Sequence, residues 1–95
     1  MKPLEQRVYD GDLANTVLEN PVFQSVFDDI EKELTEAWKS SPNRDVEGRE
    51  RVFLMMAMLG KIKSCLLTTM ETGKLAKEEL RHKQTMRDRL NDWLG

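Results

Sequence analysis

The chain has 95 residues, of which 39% are hydrophobic and 34% charged, with a formal net charge of −2. That length provides one domain with a modest core, and the composition is too apolar and too periodic for a disordered chain. No run approaches the ~20 apolar residues of a membrane-spanning helix, and the N-terminus lacks the apolar segment of a secretory signal. The single cysteine excludes an internal disulfide and fits a reducing compartment.

Residues 1–11 read as a loose arm that ends in a turn at Asp10-Gly11. Asp12 is placed to cap a short helix from Leu13 to about Glu19. Asn20-Pro21 then stops that helix and starts another, because Asn is a good N-cap and the missing N–H of proline costs nothing at the first helical position. Val22, Phe23, Val26, Phe27, Ile30, Leu34, Ala37 and Trp38 recur at spacings of three and four. They predict one apolar stripe on a helix ending near Ser40. Asp28, Asp29, Glu31, Lys32, Glu33 and Glu36 fill the remaining surface.

Ser41-Pro42-Asn43 breaks the chain, and Asn43 or Asp45 can cap the next helix. Along that helix Val52, Met55, Met56, Leu59, Ile62, Leu66 and Met70 form a stripe. Phe53, Ala57, Met58, Cys65 and Leu67 widen it to a second side, which points to a central or oligomer-buried helix. Met55, Met56, Met58 and Phe53 read mainly as core, with an oligomer seam as the other possibility. Cys65 reads as a buried structural thiol. The linker is short, so this helix and the preceding one are expected to form an antiparallel hairpin. Thr72-Gly73 is a stop signal, although a helix that bends and continues fits as well. Residues 74–95 are helical by propensity but thinly apolar, with Leu75, Ala76, Leu80, Met86, Leu90, Trp93 and Leu94 available for burial. The expected fold is therefore all-α: a core over residues 12–73, consisting of an antiparallel helical hairpin with a short N-terminal helix, followed by a C-terminal helical arm over 74–95.

The residues offer little chemistry. His82 lies in the most polar stretch and reads as a solvated side chain. Glu79 and His82 share the Glu-x-x-His spacing of di-iron ligands, and Glu33 or Glu36 are further carboxylate candidates, yet the pair is surrounded by Lys77, Glu78, Arg81 and Lys83. Gly60-Lys61 lacks the rest of a phosphate-binding loop. No catalytic, cofactor-binding or metal-binding residue is assigned, no cofactor is expected, and the chain is read as non-enzymatic.

Charge is unevenly distributed. Residues 1–43 carry nine acidic and four basic side chains, net −5, and residues 44–95 carry eight and eleven, net +3. The two halves can pair within the chain or between subunits. Lys61, Lys63, Lys74, Lys77, Arg81, Lys83, Arg87 and Arg89 trace an interrupted basic edge without interleaved aromatics, which argues against nucleic acid. The candidate partner-binding residues are Arg44, Arg49 and Arg51, as forks for a carboxylate or phosphate, and Leu90, Trp93 and Leu94, as a terminal anchor. The alternatives are surface ion pairs at a capped first turn for the arginines, and an anchor that folds back.

From about Leu18 to Leu80 the chain resembles a group of small helical proteins of tailed bacteriophages. The blocks that carry the resemblance are Leu18-Glu19-Asn20-Pro21, Ala37-Trp38-Lys39, Pro42-Asn43-Arg44-Asp45, Glu47-Gly48-Arg49-Glu50 and Glu71-Thr72-Gly73-Lys74-Leu75-Ala76. None is a catalytic signature, and residues beyond Leu80 lie outside it. The resemblance implies a phage origin and an association with virion genes, hence a place in the host cytoplasm or the virion; the lack of a long apolar run leads to the expectation of no membrane. The expected function is helix-mediated protein–protein assembly, by self-association or with other virion proteins. The alternative is a small inhibitor of a host defence or regulatory protein.

Overall fold

The computed structural model describes every residue from Met1 to Gly95 and is all-α. Its three helices are α1 (Leu4–Glu19), α2 (Pro21–Ser40) and α3 (Val46–Leu94). The chain divides into two compact units, one formed by Met1–Thr16 with Leu67–Gly95 and the other by Val17–Leu66.

The starts and stops around α2 follow from local chemistry. Asn20 is extended at φ −67° and ψ 121°, and its Oδ1 accepts the N–H groups of Val22 and Phe23 at 2.9 and 3.1 Å, with Pro21 next in the chain. Two of the unpaired donors at the helix start are thereby satisfied. At the other end Ser41 turns extended, and its N–H and hydroxyl both donate to the Trp38 carbonyl. Asp45, rather than Asn43, caps α3 by accepting the Gly48 N–H at 3.1 Å.

The unit built from the two ends of the chain departs most from the sequence-based expectation. Residues 4–11 are helical, not a loose arm: the Arg7 N–H donates to the Pro3 carbonyl and the Arg7 Nε to the Lys2 carbonyl. Lys2 also pairs with Asp10 at 2.9 Å, so the segment before α1 is held to its first turns. Gly11 makes no turn and Gly73 makes no stop. Neither has a positive φ, and both are buried inside helices. A Cβ on Gly11 would lie 2.7 Å from the Cα of Gly73, and one on Gly73 would lie 2.9 Å from the Arg7 carbonyl oxygen. The two helix backbones therefore cross in direct contact, which only glycine permits. Ala14 and Ala76, one turn further along each helix, complete this core, and Ala76 is only 1% exposed.

The unit of residues 17–66 is built from larger side chains. Phe27, 8% exposed, is its one buried apolar residue. Phe23 packs against it with ring centroids 5.6 Å apart, and the Lys63 ammonium sits 5.5 Å above its ring. At the other end of α2 the Arg49 guanidinium stacks 4.0 Å from the Trp38 ring centroid. Phe53, Met55 and Met58, expected in the core, are exposed, and only Met56 is partly covered. Cys65 is likewise exposed rather than buried. The reason is common to all four: α2 covers one side of α3 in this unit, and the wide apolar stripe has more than one side.

Candidate interaction surface

The apolar side chains left outside the unit of residues 17–66 form its most distinctive surface. Ile30 and Leu34 of α2, with Leu54, Met55, Met58, Leu59 and Ile62 of α3, line an open trough of about 380 Å³. Val22 and Val26 continue it along α2, both at least half exposed. The placement follows from helical geometry. Residues 22, 26 and 30 of α2 lie roughly a quarter-turn from the line through Phe23, Phe27, Leu34 and Trp38, and Leu54, Met55, Met58 and Ile62 stand similarly beside Val52, Met56 and Leu59. One line of each helix packs while the neighbouring line stays open.

Charges border the trough. Asp29, Glu33 and Glu36 lie on its α2 edge and Arg51 and Lys61 on its α3 edge, all exposed. None of these five takes part in the ion pairs made within the chain.

The sequence-derived arginines separate in the structure. Arg49 turns inward: its Nη1 donates to the Ser41 carbonyl at 3.1 Å and the Ser41 hydroxyl at 3.0 Å, while its plane covers Trp38. It braces the α2–α3 connection through Nη1 and the stacked guanidinium plane. Arg44 and Arg51 point outward. The terminal anchor does not fold back, since Leu90, Trp93 and Leu94 are 55%, 83% and 74% exposed.

The unit holding the chain ends presents little chemistry. His82 and Glu79 are both exposed, Glu79 approaches Lys83, and no group of three or more His, Cys, Asp or Glu side chains is placed to share a metal. Three residues of the basic edge are committed to acids within the chain: Lys77 to Asp12, Arg81 to Glu78, and Lys83 to Glu79. Asp10 has its carboxyl held below the usual carboxylate range, through hydrogen bonds from Lys2 and Gln6 that favour the ionised form.

The apolar character of α3 exceeds what its sequence suggests at first sight. By length and composition α3 could cross a membrane, with an 18-residue window of mean hydropathy 1.5, none of it buried. Counting uninterrupted apolar residues misses it because Lys61 and Lys63 interrupt the apolar stretch from Val52 to Met70.

No family model, no curated protein and no solved structure matches this chain.

Proposed function

We propose that this chain is a non-enzymatic assembly protein that completes its core by packing helices against other protein chains. The observation that carries the reading is the open trough of residues 17–66, lined by seven large apolar side chains of which Ile30, Leu54, Met55, Met58 and Ile62 are exposed, in a unit whose one buried apolar residue is Phe27. Full burial of such a side chain is worth about 1.5–3 kcal/mol and these are already partly covered, so covering the trough would contribute several kcal/mol, comparable to the net stability of a domain this small.

The finer architecture belongs to this proposal. Trp38 meets Arg49 and Phe27 meets Lys63, so positions descend α2 as they ascend α3. We read that order as an antiparallel hairpin forming the rigid body, with Leu90, Trp93 and Leu94 as a second, terminal contact. The resemblance to small proteins of tailed phages supports placing the assembly in the virion or its construction, and the protein in the host cytoplasm or the virion. A soluble assembly fits the apolar stretch better than a membrane span. Lys61 and Lys63 lie about 200° apart around α3, so a spanning helix would turn one of them towards lipid, at about 2.5–3.5 kcal/mol near the bilayer centre.

A second reading, inhibition of a host protein, draws on the acidic side of α2, which overlaps the trough's edge: Asp28, Asp29, Glu31, Glu33 and Glu36 are all exposed along it. That acidic strip suits a basic partner.

Light scattering and thermal unfolding of the full chain over a hundredfold concentration range test the main reading. A defined multimer is expected, with a melting temperature that rises with concentration. Replacing Trp93 and Leu94 by Ala together should yield a smaller species. A monomer that melts cooperatively at one temperature throughout would sink the assembly reading and leave the acidic strip as the surface to pursue.

A further inference from the structure

Resting on the assembly reading, we infer that the partner covering the trough is a second copy of this chain, with α2 of each copy lying on α3 of the other. The trough has the anatomy of an interface: an apolar centre of Ile30, Leu34, Met55, Met58 and Ile62, and a charged rim. The rim is what selects the partner. It is acidic where α2 borders the trough, at Asp29, Glu33 and Glu36, and mixed where α3 does, with Arg51 and Lys61 beside Glu47 and Glu50.

Two copies can bring these faces together about a two-fold axis in two ways. An axis lying across the helices sets α2 on α2, which stacks the three acids of one copy on those of the other. An axis parallel to the helices sets α2 on α3 and brings each acidic rim against the edge that carries Arg51 and Lys61. Like charges facing one another across an interface are unfavourable, so the second arrangement is selected. All neighbouring helices in it are antiparallel, as in a four-helix bundle.

The register follows from the contacts within one copy. Trp38 is level with Arg49, and Phe27 is level with Lys63. Two residues inward from each pair, Glu36 is level with Arg51 and Asp29 with Lys61. A two-fold axis parallel to the helices preserves level, so Glu36 meets the second copy's Arg51 and Asp29 meets the second copy's Lys61. Asp29, Glu36, Arg51 and Lys61, none of which makes an ion pair within the chain, are thereby paired between chains.

Sedimentation equilibrium of the full chain, with charge-reversal variants, tests this. Arg51→Glu and Glu36→Lys should each weaken the two-copy species by about tenfold, and the double variant should recover most of the loss. Met58→Asp, at a side chain 63% exposed in the single copy, should leave the helix content intact and the chain monomeric. A multimer indifferent to all of these changes would overturn this pairing and leave the assembly reading standing. A folded monomer at every concentration overturns both. Binding of a monomeric full chain to phosphatidylglycerol vesicles, lost in Met58→Asp, would assign the trough to lipid and overturn the pairing as well.

Discussion

The two compact units bury their helices by opposite means. In the unit of residues 1–16 and 67–95, Gly11, Ala14, Gly73 and Ala76 let α1 and α3 touch backbone to backbone, so a core forms without a large side chain. In the unit of residues 17–66, large side chains hold the helices, yet Phe27 alone is buried. Close approach saturates with two helices, because the contact is made by the backbones themselves. A stripe of large side chains wider than one partner helix is not saturated, and its remainder is available to another chain.

Adding side-chain volume should therefore have opposite consequences in the two units. Gly73→Leu forces a side chain into the Arg7 and Gly11 backbones and should cost about 3 kcal/mol. Hydrogen exchange should show that loss in the amides of residues 4–16, and uniform destabilisation of both units would contradict the division. The next largest effect is expected at the brace of the α2–α3 connection. Arg49→Ala removes the stacking on Trp38 and the bonds to Ser41, for about 1–2 kcal/mol. Arg49→Lys should recover only part of it, since an ammonium has no planar fork, and denaturant unfolding measures both.

Gly60 gives the converse of Gly73. A Cβ there meets nothing within 4 Å, so Gly60→Ala should stabilise α3 by about 0.5–1 kcal/mol and raise the melting temperature. A loss there instead would mean that another chain approaches α3 closely at this point. The smallest effect is electrostatic. The pKa of Asp10 is lowered in the folded chain from its ordinary 3.8, so its contribution is complete above that value and disappears as pH falls through the folded pKa. Residues 1–10 should loosen over that acidic window, visible in the amide signals of Arg7 and Tyr9. Asp10→Asn should remove this pH dependence.

Much of the architecture is legible locally. Asn20-Pro21, the break at residues 41–45 and the three-and-four spacing of α2 each rest on chemistry completed within a few residues. The glycines are not legible in that way. A glycine after Asp10 or Thr72 carries the local signature of a turn or a helix end, and the same residue serves equally where two helices must touch. The spacing Gly-x-x-Ala, present at both 11–14 and 73–76, is the signal the sequence holds, and it acquires meaning only when both copies are seen to meet. For the candidate surface, the double-sided stripe of α3 is readable. The inward turn of Arg49 is not, because it depends on Trp38 and Ser41 lying beside it in space.

The sequence by itself determined that this protein is helical, where α2 begins and ends, that α3 begins after the break at residues 41–45, and that α3 is apolar on two sides. Tertiary structure alone decided that α3 continues through Gly73, that α1 reaches back to Leu4, and which apolar line stays open. The physical reason is range. Caps and periodicity are satisfied within a turn or two of the chain, whereas burial is settled by whichever helix arrives from far along it.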